Sequence, residues 1–275
     1  MSIIGVKYPD DRWDKRNVPK EFRRNSAEFN YGAVKDIKDR ICFTFMDRLL
    51  LFDIDRTLLK NAKGHRDAFT HAFKEVYDID TTIDIINFNG MTDQQIIIEV
   101  LQKNNLSEED IKTKIKDCMT SMIEYYDNIK NNCDPPTILA GVKKLLKELD
   151  KQNYLIGLVT GNLEPIARGK LERVKLNQFF KLGGFGSDDI NRTNLVKLAI
   201  KKAEENFDFK FDKNVFLFGD APQDMNAGNE AGIITIGVTT GIYSKEQLEN
   251  AAANYVIDNL KNTRKILNIV LKKAS

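Results

Sequence analysis

Leu49-Leu50-Leu51-Phe52-Asp53-Ile54-Asp55-Arg56-Thr57-Leu58-Leu59 carries the strongest signal in the chain. A short apolar run closed by polar residues is the pattern of a buried strand in a parallel sheet. Two carboxylates, Asp53 and Asp55, follow where that strand should end. In open α/β sheets, ligands bind in the crevice beyond the carboxyl ends of the strands. Two acids at such an edge repel each other unless a cation or a shared proton lies between them. An isolated Asp-x-Asp is more often a solvated turn, so distant segments must supply the other half of any site.

Downstream, strand and helix patterns alternate. Helical periodicity over 142–149 precedes a buried strand over 154–159 and a helix over 164–174. A weak strand near 184–186 leads to a helix over 194–205, a strand over 215–218 and a helix over 223–231. Strands over 233–238 and 255–257 flank a short helix capped by Ser244-x-x-Gln247, and a closing helix is expected over 259–272. Such alternation predicts an α/β fold, a parallel sheet covered on both faces with right-handed crossovers.

Between 64 and 133 the strand signal vanishes. Ala68, Phe69, Ala72, Phe73 and Val76 repeat at helical spacing, as do Ile111, Ile115, Met119, Met122 and Ile123. Thr92-x-x-Gln95 and Ser107-x-x-Asp110 have the form of helix caps. Asp134-Pro135-Pro136 is a stiff return to the main body. The stripes read as core of a small helical unit. His65 and His71, the only histidines, read as surface or packing residues on its first helix. Gly90-Met91-Thr92-Asp93 offers a turn that can dip toward the strand ends.

The expected organisation is therefore a main body over 46–63 and 134–275, a helical unit over 64–133, and an extension over 1–45. That extension is dense in charge and turn-formers without periodicity, an appendage ahead of Met46, where a shorter protein would naturally begin. The 275 residues include 42% apolar types, enough for a substantial core. Charges nearly balance at 42 basic and 40 acidic, which argues against nucleic acid as a partner. No apolar stretch approaches bilayer length and the first twenty residues are polar, so neither a membrane nor secretion is expected. Three scattered cysteines suggest free thiols in a reducing compartment, the cytoplasm. Oligomeric state leaves no trace in the sequence.

Polar residues gather at the ends of three predicted strands. The first ends in Asp53-x-Asp55-x-Thr57 and the second in Thr160-Gly161-Asn162, just ahead of a helix. A hydroxyl, a glycine permitting close approach and free N–H groups at a helix start make an anion seat. The third ends in Gly219-Asp220-Ala221-Pro222-Gln223-Asp224. Four acids facing an anion seat, with oxygen donors only, ask for a hard divalent cation and point to Mg²⁺.

These three motifs in this order resemble the haloacid dehalogenase superfamily, in particular its phosphoglycolate phosphatase-like members. The resemblance spans residues 47 to about 260. It implies a Rossmann-like parallel-sheet core with an inserted helical cap of the C1 type between the first and second motifs. It also implies a Mg²⁺-dependent phosphatase acting on a small phosphorylated metabolite through an aspartyl-phosphate. In that scheme Asp53 is the nucleophile and Asp55 the acid and base. Asp53, the backbone carbonyl of Asp55, and Asp220 hold the metal, with Asp224 close by. Thr160, Gly161 and Asn162 hold the phosphoryl oxygens.

The family's Lys-Pro ahead of the last motif is absent. Arg192 stands at about that place and is favoured as the substitute cation, with Lys170 and Lys197 as alternatives. Arg56 replaces the usual glycine of the first motif, which either alters the hinge or extends toward substrate. A phosphosugar mutase on the same scaffold, or a non-enzymatic phosphometabolite-binding protein, are the competing readings. Asp55 disfavours a dehalogenase, whose chemistry does not use that acid.

Overall fold

A computed structural model describes residues 47–271 apart from Asn153 and Lys213. The expected N-terminal extension and the start at Met46 lie outside the described residues.

Strand β1 (Leu49–Phe52) is central because it has nothing polar to keep at the surface. All four side chains are fully buried. It pairs in parallel with β4 (Leu155–Thr160) on one side and β6 (Val215–Gly219) on the other. The sheet order is β5-β4-β1-β6-β7-β8, with β5 spanning Leu182–Phe185, β7 Ile234–Val238 and β8 Tyr255–Ile257. Side chains of successive strand residues point to opposite faces, and the core divides accordingly. Leu50, Phe52, Ile156, Leu158, Phe216 and Phe218 join one apolar cluster, while Leu49, Leu51, Leu155, Val159, Val215 and Leu217 join another. Phe52 stacks on Phe218 at 4.5 Å between ring centroids. Each such side chain contributes roughly 1.5–3 kcal/mol on leaving water, and all of it fixes where β1 ends.

Helices cover both faces. α4 (Val142–Lys151) and α9 (Thr263–Leu271) pack on the first cluster, and α6 (Arg192–Asn206) on the second. α5 (Glu164–Glu172) follows β4, α7 (Pro222–Glu230) follows β6, and the short α8 (Lys245–Asn250) lies between β7 and β8. The Ser244 cap forms as expected, its side chain accepting from the Gln247 N–H. Two boundaries differ from expectation. β5 begins two residues earlier than the expected 184–186, and α9 begins at Thr263 rather than 259. Asn259 and Asn262 cause the delay. The Asn259 side chain accepts the Lys261 N–H at 3.0 Å and turns the chain, and the Asn262 side chain accepts the Lys265 N–H at 3.0 Å as the cap on which the helix starts.

After Asp55 the chain leaves the body through β2 (Leu59–Lys60) and returns through β3 (Thr137–Ile138), paired antiparallel. Between them stand α1 (His65–Tyr77), α2 (Asp93–Lys103) and α3 (Glu108–Ile129). Their apolar stripes form a separate cluster that closes on Leu163 and Ile166 at the start of α5. Thr92 and Gln95 form the expected capping box, and Ser107 accepts from the Asp110 N–H. Among the described residues no helix is long and apolar enough to cross a membrane. Cys118 and Cys133 are free thiols.

Candidate active site

The ends of β1, β4 and β6 converge on a cavity of about 360 Å³ lined by Asp53, Asp55, Gly161, Asn162, Asp220 and Asp224 among others. Register explains the convergence. Phe52 lies beside Leu158 and Phe218, so the residues that follow emerge together at one sheet edge. The Asp53 N–H donates to the Phe218 carbonyl at 2.9 Å, tying the first motif to the last. A tight turn then redirects the chain, with the Leu58 N–H donating to the Ile54 carbonyl at 2.9 Å.

Asp53, Asp220 and Asp224 are buried, and one carboxylate oxygen from each lies within 4.8 Å of the others. Burial pushes Asp53 well above the usual carboxylate range, and Asp224 adds to the rise while Arg192 opposes it. Burial and then Asp224 push Asp220 up to about 7. Burial raises Asp224 as well, against the pull of Arg192. Arg192 sits in the first turn of α6, where the helix dipole disfavours a cation, and it is held there by carboxylates. Its guanidinium donates to Asp224 Oδ1 and lies 3.6 Å from Asp53 Oδ1. Asp224 Oδ2 accepts the Ala221 N–H at 3.2 Å.

Asp55 belongs to a second group. Lys170, 1% exposed on α5, donates to Asp55 Oδ2 at 2.7 Å, and Asn162 Nδ2 donates to the same oxygen at 2.8 Å. Loss of water raises Asp55, but Lys170, His65 and these hydrogen bonds bring it below the ordinary carboxylate range. Lys170 is thus placed beside the second aspartate and Arg192 beside the first. Lys197 does not line the cavity.

Two expected anion contacts take a different form. Thr160 is fully buried behind the cavity wall, and its Oγ1 accepts from Asn162 Nδ2 at 2.7 Å. The Asn162 N–H also donates to that Oγ1, at 3.3 Å, so the threonine braces the turn instead of facing the cavity. Asn162 in turn faces Asp55 and Lys170. Gly161 does line the cavity, and a Cβ there would collide with the Met91 carbonyl.

That collision exists because the turn ahead of α2 rests on the sheet edge. The Asp93 N–H donates to the Gly161 carbonyl at 2.8 Å, and Gln94 Nε2 donates to the Gly186 carbonyl at 2.6 Å. Gln223 Nε2 donates to the Asn89 carbonyl at 3.2 Å. Arg56, at φ 65°, donates to Asn89 Oδ1 and so reaches the same turn. His65 is not the surface or packing residue the sequence suggests. Its ring lies between Lys170, 3.1 Å from Nδ1, and Asp93, 3.0 Å from Nε2. Sequence reasoning brings the turn that holds Asp93 toward the strand ends but gives neither Asp93 nor His65 a place in the site. The readable signal was Lys170, a charge set among Ile166, Ala167 and Leu171 on the buried face of its helix, where an unpaired cation is costly.

Relatives share this architecture. A pyrophosphatase PpaX from Oceanobacillus iheyensis is 24% identical over 220 residues, covering 78% of this chain and 94% of its own. A crystal structure described as a predicted phosphatase from Clostridium acetobutylicum superposes with a TM-score of 0.62 at 20% identity, covering 80% of this chain and 98% of that one. Another, described as a predicted phosphoglycolate phosphatase from Haemophilus somnus, gives 0.59 at 19% identity, with 80% and 97% covered. The fold is theirs: a Rossmann-like parallel sheet flanked by helices. The model of the haloacid dehalogenase-like hydrolases matches residues 50–238, more than half of the chain, and the protein belongs to that family of hydrolases.

Proposed function

We propose that the protein is a Mg²⁺-dependent phosphatase that releases phosphate from a small phosphorylated metabolite through an aspartyl-phosphate on Asp53. The observation that carries this reading is the meeting of Asp53, Asp220 and Asp224 within 4.8 Å of one another. Three buried carboxylates outnumber the arginines that act on them, Arg192 and, at Asp220, Arg56, and leave uncompensated negative charge, which is the environment a cation relieves. Their all-oxygen donor set suits a hard divalent ion. Asp53, Asp220 and the Asp55 backbone carbonyl would hold it. Asp224, already engaged by Arg192 and the Ala221 N–H, takes an outer role. When bound, the ion neutralises phosphoryl charge that would otherwise repel the attacking carboxylate.

The protein's own groups then divide the work. An Asp53 oxygen attacks phosphorus in line, and the bond to the leaving oxygen breaks with its electron pair on that oxygen. Asp55, in its protonated form, gives that oxygen a proton as it departs and is left as the carboxylate. Water next attacks the same phosphorus while Asp55 accepts a water proton, and the bond to Asp53 breaks, restoring its carboxylate. Arg192 orients Asp53. Its buried Nε–H lacks an acceptor among the described residues and is a donor that a phosphoryl oxygen would satisfy. The turn resting over Gly161 limits the substrate to what about 360 Å³ encloses and excludes bulk water during the reaction.

Phosphate release from p-nitrophenyl phosphate, phosphoglycolate, pyrophosphate and sugar phosphates, with Mg²⁺ and with chelator, tests the reading. Mg²⁺-dependent turnover of at least one is expected. No turnover across the panel would instead favour a protein that only binds phosphometabolites.

Arg56 narrows the substrate class. It lines the cavity together with Lys60, and its charge pulls Asp220 down against burial and Asp224. Two cations there suit a leaving group that is itself an anion. Arg56→Gly relaxes the left-handed backbone and removes the guanidinium. Losing one charge-assisted hydrogen bond, worth about 1.5–3 kcal/mol, should raise KM for phosphoglycolate or pyrophosphate at least about tenfold. KM for p-nitrophenyl phosphate, whose leaving group carries no second acid, should move far less. Equal shifts for both kinds of substrate would remove Arg56 from recognition.

A further inference from the structure

Lys170 is an expensive residue to bury, and one carboxylate would be enough to neutralise it. It has instead three partners for its three N–H bonds: Asp55, Asn162 Oδ1 and, at 3.1 Å, His65 Nδ1. An ammonium can only donate, so Nδ1 accepts and the ring proton lies on Nε2. That nitrogen is 3.0 Å from Asp93 Oδ2, which also accepts the Leu163 N–H at 2.8 Å. The chain of hydrogen bonds therefore runs from Asp55 through Lys170 and His65 to Asp93, and ends on the backbone just beyond β4. Asp55 and Lys170 belong to the sheet body, and His65 and Asp93 open two helices of the insertion.

We propose that Lys170 is a positioning residue that aims Asp55 into the cavity, and that His65 and Asp93 hold Lys170 in place only while the insertion is seated on the sheet edge. A lysine stem has many rotamers, and anchoring its head at three points removes that freedom before substrate arrives. Asn162 contributes from the second motif by holding both Asp55 and Lys170. The group that must meet a proton in each half-reaction is thereby tied to the closed arrangement.

The proposal rests on the aspartyl-phosphate reading above, and its test separates the two. The probe is p-nitrophenyl phosphate, whose leaving group departs without a proton. Formation of the aspartyl-phosphate then makes little demand on Asp55, whereas its hydrolysis still needs Asp55 to take a proton from water. Lys170→Met keeps the apolar stem and removes the donors. It should lower kcat about 100-fold without raising KM, within the range of acid–base contributions. Quenched samples should carry phosphate on Asp53 by intact and peptide mass, where the wild type carries little. His65→Gln and Asp93→Asn should give the same signature with a smaller loss, and they carry the test if Lys170→Met does not fold. Folded variants that turn over at the wild-type rate, or that slow without accumulating phosphorylated Asp53, overturn the proposal. A wild type inactive on every phosphate ester sinks the phosphatase reading instead.

Discussion

Asp53→Asn is expected to lower phosphate release by about 10⁴-fold or more while the protein stays folded, an effect of the size seen when a nucleophile is removed. The carboxamide has nearly the shape of the carboxylate and none of its nucleophilicity. It also takes one negative charge out of a buried group that has too many. Asp53 is held well above the usual carboxylate range by burial and by Asp224, so losing its charge should leave the thermal midpoint unchanged or raise it. That pairing of lost turnover with retained stability distinguishes a nucleophile from a structural acid. Thermal melts and phosphate release on the same preparation measure both. Turnover within tenfold of wild type would place the nucleophile elsewhere.

Chelating divalent cations should abolish turnover and lower the thermal midpoint, with a pH dependence of defined sign. Burial and Asp224 push Asp220 up to about 7 in the folded protein, against an ordinary value of 3.8 once unfolded. Between those values the folded chain holds a proton that the unfolded chain has released. Stability of the metal-free protein must then fall as pH rises through this window. Asp53 and Asp224, both raised, act in the same direction. Mg²⁺ competes with those protons, so the rise in midpoint it produces should be larger at pH 8 than at pH 5. A shift equal at both values, or larger at pH 5, would mean that Asp53 and Asp220 do not share an ion.

The fold was legible because its decisive stretch is extreme. Four consecutive apolar residues ending in two acids have few alternatives to a central parallel strand, and the register then brings Asp220 to Asp53 without further assumption. β5 was harder, since Gly183 and Gly184 carry no side chain to mark a pleated face. Arg192 is favoured in the sequence only through the resemblance, which expects a cation ahead of the last motif, and the structure sets it against Asp224 and Asp53. His65 was lost for another reason. Its partners Lys170 and Asp93 lie 105 and 28 residues away, and no local periodicity carries information over that distance. At Thr160 the sequence shows a hydroxyl at a strand end, and only the structure shows that its Oγ1 accepts from Asn162 and braces the turn.

The carbonyl of Met91 resting where Gly161 has no side chain gives the doorway and the reaction chamber a common wall. One methyl group there would wedge the door ajar without touching any reacting atom. Leakiness toward water, the size of the guest admitted and the ease with which spent phosphate departs are then three faces of one fit.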